Sequence, residues 1–323
     1  VKAAIVRVDP EIRITPHAQA LDPAWAIEYA TAPRGPGLDP VGAVWINHHD
    51  ALHSRWQPDH VMELRRRGIK VLLTYHDTRE RIEDTPKLQM LVPVVDHTIV
   101  HEPVQYLTDN DQLEGAVTYL RQGVPARPGQ YALDWRRLGG WPRPVLGTVG
   151  FDFPWKNYTR LAELTAEIGW GLLLICPNLT PERVQELRAI NPWLTLPEDL
   201  GAGELHVSGI VPTDTAVSIL AACTATAFMY ECANTGTSGA IRLGIATRKP
   251  VYALETCRQF RDLRMQDADD QIRTINWVHS WHVLRQQLIA SWSMEVDPAM
   301  VYLAERDSMA KVGARYALTL RGL

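Results

Sequence analysis

The run from Gly236 to Ala246 combines glycines, hydroxyls and a guanidinium in a spacing that suits an anion. Ahead of it, Ala225 to Tyr230 is a short apolar segment of strand character, and Pro250 to Ala253 is another behind it. Between them Ile241, Ile245 and Ala246 recur at helical spacing. A strand therefore ends, a glycine-bracketed turn follows, and a helix starts at that turn. The unpaired N–H groups and positive dipole end of such a helix start attract phosphate-like groups. Gly236 and Gly239 let the backbone approach closely, Thr237 and Ser238 add hydroxyls, and Arg242 lies one turn into the helix. An ordinary strand-to-helix turn capped by Ser or Thr has the same local pattern.

Other polar clusters also fall at predicted strand ends. They are His48-His49-Asp50, followed by His53, then His76-Asp77 and His101-Glu102, while His17 follows the first predicted strand. His76-Asp77 reads either as a polar pair lining a ligand cleft, or as a carbonyl-bound histidine beside a helix-capping aspartate. The histidine spacings match no common zinc pattern. Asp267-Ala268-Asp269 has a metal-type spacing, but its polar surroundings are those of a loop or helix surface. No metal site is expected.

These residues need elements to hold them. In the first half, strands are expected at Ala3–Val8, Val41–Asn47, Ile69–Tyr75, Thr98–Val100 and Ala116–Leu120. Helical pieces are expected at Pro23–Tyr29 and Asp59–Arg67, the second closed by Gly68. Pro125 to Pro144, rich in Pro, Gly and Arg, reads as a linker. The pattern then restarts with strand Val145–Val149, helix Lys156–Ile168 and strand Gly171–Cys176. Helix Pro181–Ile190 follows, with Thr180 as its cap and Pro at its first position. Leu205–Val207 is expected as a strand, Thr213–Cys223 as a helix, and Pro298–Leu320 as one long helical region. Alternating strands and helices give an α/β fold with parallel sheets, whose ligands gather at the carboxyl ends of the strands. The organisation expected is a domain over 1–124, the linker over 125–144, a second domain over 145–297, and a terminal helix over 298–323 packing back toward the first domain.

Composition narrows the class. The 323 residues are 46% apolar and 22% charged with a net charge of −4, which argues against a non-specific nucleic-acid binder. Four scattered cysteines without a CxxC pair read as buried thiols in a reducing compartment. With no leader pattern and no apolar run of about 18 residues, a cytoplasmic protein without membrane insertion, monomeric or weakly dimeric, is expected.

The second half resembles the nucleotide-sugar domain of GT-B glycosyltransferases, in particular the retaining group often called family 4. The resemblance rests on Val149-Gly150 through Lys156-Asn157-Tyr158, on Gly209 to Asp214, and on Gly236 through Pro250-Val251. In the first half it extends to Leu73-Thr74-Tyr75-His76-Asp77 and to Val100-His101-Glu102. It implies two Rossmann-like domains facing a cleft, a nucleotide-diphosphate sugar as co-substrate, and no cofactor or metal. Lys156 would neutralise donor phosphate, Gly236 to Gly239 would give N–H groups to the diphosphate, and His76 would lie near the transferred sugar. His17 would lie on the acceptor side and His101-Glu102 would line the same cleft, while Asp152, in the loop before Lys156, either contacts donor or acceptor or packs at the domain junction. The family carries Arg after the first loop's glycine, where this chain has Phe151, and two glutamates where it has Thr235 and Leu243. Arg242 is expected to replace the missing cation, and Glu231 the missing ribose contact.

Four acceptor classes stay open. Arginines at 121, 127, 136, 137 and 143 interleave with Trp135 and Trp141 in a chain of 11 tryptophans, which fits a hydroxymethylated base in DNA, as in phage glycosyltransferases. Saccharides, lipids or proteins are the others. A non-catalytic GT-B-fold protein that binds a nucleotide or a partner is the rival reading, favoured by the altered glutamates.

Overall fold

The computed structural model describes residues 13–16, 27–32, 41–48, 58–66, 68, 70–75, 90–101, 117–128, 143–200, 211–231, 238–269, 274–291 and 296–322. The chain forms two compact units. One comprises Val1–Gly123, Asn234–Thr237 and Met309–Leu323, the other Val124–Ala233 and Ser238–Ser308.

The first unit holds a six-stranded sheet of β1 (Arg13–Pro16), β2 (Ile27–Ala32), β3 (Val41–His48), β4 (Lys70–Tyr75), β5 (His97–Val100) and β6 (Val117–Tyr119), in that order. From β3 onward neighbours are parallel, with Val44 opposite Val71 and Leu73 opposite Thr98. The first three strands depart from the expected all-parallel pattern, since β1 and β2 are antiparallel, as are β2 and β3. Residues 27–29, expected in a helix, belong to β2, where Ile27 pairs with Ile46 and Tyr29 with Val44. Isoleucine and an aromatic at alternate positions fit a pleated surface better than one turn of helix. Helix α1 (Pro58–Arg66) packs on this sheet through Val61, which is fully buried.

The terminal helix Met309–Gly322 belongs to the first unit. Tyr316 is buried in it, its hydroxyl 3.1 Å from Thr74 Oγ1, which also accepts from Trp45 Nε1 at 2.9 Å. A single helix from Pro298 was expected, but the chain breaks at Asp307–Ser308, where Ser308 bridges to Val124.

The second unit is built on β7 (Val145–Val149), β8 (Gly171–Ile175), β9 (Leu194–Thr195), β10 (Ala225–Phe228), β11 (Val251–Leu254) and β12 (Asn276–Val278). All pair in parallel, in the order β12-β11-β10-β7-β8-β9. Strands β7, β8, β10 and β11 are buried along their whole length, as continuous apolar strands covered on both faces must be. The helices are α2 (Tyr158–Glu167), α3 (Pro181–Ile190), α4 (Thr213–Ala221), α5 (Gly239–Ala246), α6 (Arg261–Asp269), α7 (Trp281–Ser291) and α8 (Pro298–Arg306). Thr180 caps α3 by accepting from the Arg183 amide at 3.2 Å.

Among the described residues no helix is long and apolar enough to cross a membrane.

Candidate functional site at the strand switch of the second unit

The strand order places the chain reversal of the second unit between β7 and β10. From β7 the chain moves outward to β8 and β9, then returns to β10 and runs outward the other way. In open α/β sheets ligands bind at the carboxyl ends of the strands beside such a switch. Here the flanking segments are Gly150–Asn157 after β7 and Met229–Glu231 after β10.

The two segments are laced together. The Glu231 amide donates to the Trp155 carbonyl at 2.8 Å, and Asn157 Nδ2 donates to the Met229 carbonyl at 2.9 Å. Lys156 Nζ donates to the Tyr230 hydroxyl at 3.3 Å, which donates in turn to the Val149 carbonyl at 3.0 Å. The ammonium also lies 4.4 Å from the centre of the Tyr230 ring. A cation on a flexible stem is thereby fixed at the end of β7, and Lys156 is only 6% exposed. The sequence pattern predicts a helix from Lys156 to Ile168. Instead Pro154–Lys156 is a 3-10 turn, Asn157 adopts the left-handed conformation, and α2 begins at Tyr158. Asparagine tolerates that conformation, and the break lets Lys156 turn back toward Gly150. Tyr158 completes the lacing by donating to the Gly150 carbonyl at 3.1 Å.

Gly150 has φ +138°, and a Cβ there would overlap Lys156 Nζ. Gly150→Ala should therefore push the ammonium out of place and strain the backbone, at a cost of about 1–3 kcal/mol. Thermal unfolding together with nucleoside diphosphate binding checks this, and both are expected to fall.

The start of α5 belongs to the same unit. The Ser238 amide donates to the Gln259 carbonyl at 3.1 Å, and the adjoining Phe260 ring lies 5.3 Å from Tyr230, which connects the helix start to the lysine. Gly239 is exposed, with open space where a Cβ would be. The Ser238 side chain makes no capping bond, so the first-turn N–H groups keep their anion-binding capacity. Arg242 does not stand open to an anion: it is 2% exposed and donates from Nη2 to Asp262, itself 1% exposed. Burial raises the Asp262 carboxyl above the usual range, opposed by the adjacent guanidinium.

Glu231 is exposed and held from two sides. Trp281 Nε1 donates to Oε1 at 3.1 Å and Arg160 lies 3.7 Å away. Asp152 pairs with Arg183 at 3.1 Å, and its amide donates to Asn178 Oδ1 at 2.7 Å. The same Asn178 oxygen accepts from Cys176 Sγ at 3.2 Å. Burial pushes the Cys176 thiol up to about 11. At pH 8 it should therefore stay protonated, and iodoacetamide should label the Cys176 peptide slowly, faster only as pH climbs toward 11. Peptide mapping by mass spectrometry reads this.

In the first unit His101 is 3% exposed and its Nδ1–H donates to the Leu120 carbonyl at 2.7 Å. His17, His49, Asp50, His53, His76, Asp77, Glu102, Gly236 and Thr237 lie outside the described residues, as do Trp135 and Trp141. Among the described residues no group of three or more His, Cys, Asp or Glu is placed to hold a metal ion. Sequence reasoning missed Tyr230, Arg183 and Asp262. Tyr230 could have been found, as a tyrosine directly following a predicted apolar strand, where ligands gather.

No family model matches the sequence, and no curated protein matches it significantly. Solved structures do match. A trehalose-6-phosphate structure from E. coli bound with UDP-2-fluoro glucose aligns with TM-score 0.59 and 12% identity, covering 87% of this chain and 73% of that chain. A UDP-forming α,α-trehalose-phosphate synthase from Burkholderia xenovorans gives 0.55 and 12% over 86% and 73%. A glycosyltransferase from Rickettsia africae gives 0.57 and 11% over 86% and 76%. At such identities the likeness is one of fold: the chain has the α/β architecture of GT-B glycosyltransferases, two Rossmann-like units, the first built on a mixed sheet parallel from β3 onward and the second on a parallel sheet.

Proposed function

We propose that this protein is a glycosyltransferase that moves a sugar from a nucleotide-diphosphate sugar to a hydroxyl acceptor. The observation that carries the reading is Lys156, a cation fixed by Tyr230 and Gly150 at the strand switch of the second unit. As the glycosidic bond breaks, negative charge builds on the leaving diphosphate, and preorganised cations and N–H groups stabilise it. Lys156 supplies the cation, and the first turn of α5, with Ser238 and Gly239, supplies the N–H groups. Glu231, oriented by Trp281 and Arg160, is suited to accept from ribose hydroxyls. Asp152 is paired with Arg183. His76 and His17 keep the sugar and acceptor roles that the family resemblance implies, with Asp77 beside His76, whereas His101, buried and bonded to the Leu120 carbonyl, serves the packing of the first unit. With these charges the transfer is proposed to need no metal, and the resemblance makes it retaining. The solved neighbours support a UDP-sugar donor, since one was bound with UDP-2-fluoro glucose and another is UDP-forming.

Binding without transfer is the second reading, and the pairing of Arg242 with Asp262 favours it, because that pair removes one cation from the diphosphate. A thermal-shift screen of nucleoside diphosphates and their sugars tests donor binding, since a ligand that binds only the folded state raises stability by mass action. Transfer of labelled sugar, with and without chelator, to hydroxymethylated DNA, unmodified DNA and saccharides then separates the two. Donor binding with no turnover on any acceptor leaves the binding reading standing. No shift with any nucleotide ends the transfer reading and the nucleotide-binding form of its rival.

A further inference from the structure

The chain has four phenylalanines. Two, Phe228 and Phe260, are fully buried, but Phe151 and Phe153 are 47% and 44% exposed, side by side with ring centres 6.0 Å apart. Phe153 also stacks on Trp155 at 5.3 Å and 18° between planes, so its ring is held in one orientation. Exposed rings fixed in place lose apolar stabilisation that burial would give, and clustered ones mark binding surfaces.

Phe153 forms one wall of a cavity of about 410 Å³, of the size that takes a small organic ligand. The rest of the lining includes Asp152, Glu163, Asn157, Arg160 and Arg183. Two carboxylates and two guanidiniums cancel in formal charge, so the cavity selects neither an anion nor a cation. It offers instead carboxylate acceptors and guanidinium donors in one small space, with an amide that does both. Vicinal hydroxyls, which donate and accept together, are matched by that set, and the C–H face of a pyranose is matched by an aromatic ring. Arg183 is rigidly placed for this, with Nε 3.1 Å from Asp152 Oδ2 and Nη2 2.8 Å from Thr159 Oγ1.

We propose that this cavity, lined in part by Asp152, Phe153 and Pro154 of the loop that carries Lys156, binds an uncharged saccharide. Its use as an acceptor subsite rests on the glycosyl-transfer reading, whereas its occupancy by a sugar does not. Saturation-transfer NMR on the full chain, with maltose, lactose and cellobiose as probes, tests it. At least one disaccharide is expected to receive saturation on its ring C–H protons. Phe153→Leu keeps apolar bulk but removes the ring face, and Glu163→Gln changes an exposed helix residue. Binding weakened roughly tenfold in either variant supports the proposal. No transfer to any disaccharide in the wild type, or unchanged binding in both variants, overturns it. UDP binding, read separately by thermal shift, distinguishes the two ideas. Sugar binding without UDP binding removes the UDP-donor reading and leaves the saccharide site. UDP binding without sugar binding removes the saccharide site alone.

Discussion

Lys156→Met is expected to lower sugar transfer by about 10²–10³-fold, the loss found when one preorganised donor to a developing charge is removed. Methionine keeps the stem's length and apolar volume, while the ammonium that contacts Tyr230 and Gly150 goes. The two kinetic constants should separate. Ground-state phosphate already carries charge, so the KM for the donor rises. The diphosphate carries more charge as it leaves, so kcat falls further. Lys156→Arg is no conservative control here, because a planar guanidinium does not fit where a compact ammonium lies against Gly150. Steady-state kinetics with labelled donor, beside thermal unfolding of each variant, make the check. Wild-type turnover in Lys156→Met would remove the lysine from the chemistry and with it the observation on which the transfer reading stands.

The parts of this site that the sequence reveals are those encoded locally. The glycine turn and the apolar spacing of Ile241 and Ile245 announce α5, which runs from Gly239 to Ala246. Thr180 and Pro181 announce α3 in the same way. What local pattern does not encode is pairing across the fold. Lys156 and Tyr230 are separated by 74 residues, and nothing near either predicts their bond. Arg242 reads from its neighbours as a free cation one turn into an anion-binding helix. Only the packing of α6 against it reveals Asp262, 20 residues on, as its partner. The left-handed Asn157 is a milder case. A continuous helix from Lys156 matches the apolar spacing of the segment equally well, and the turn is decided by the tertiary bond from Asn157 to Met229. Residues 27–29 show the same rule in a sheet, where cross-strand partners on β3 override a weak helical pattern.

Asp262→Ala should be the most destabilising single change in the second unit among those considered, at about 3–5 kcal/mol, because it leaves Arg242 charged, buried and alone. The pair itself is imperfectly satisfied. Arg242 Nε and Nη1 and Asp262 Oδ1 find no hydrogen-bond partner among the described residues, so the ion pair and the Leu263 backbone bond to Asp262 must offset the desolvation of two ions. Such a pair contributes little net stability even though breaking it is costly. The double variant Arg242→Met/Asp262→Leu, apolar and of similar volume, is therefore expected to recover most of the loss and to match or exceed the wild type. Denaturant unfolding of the wild type, both single variants and the double closes the cycle. If the pair serves only to anchor α5, the double variant should also keep nucleoside diphosphate binding, because the first-turn N–H groups stay where they are. If diphosphate binding is lost while stability is regained, the Arg242 charge acts on the ligand from within the core, and the anion site extends one turn deeper than Gly239.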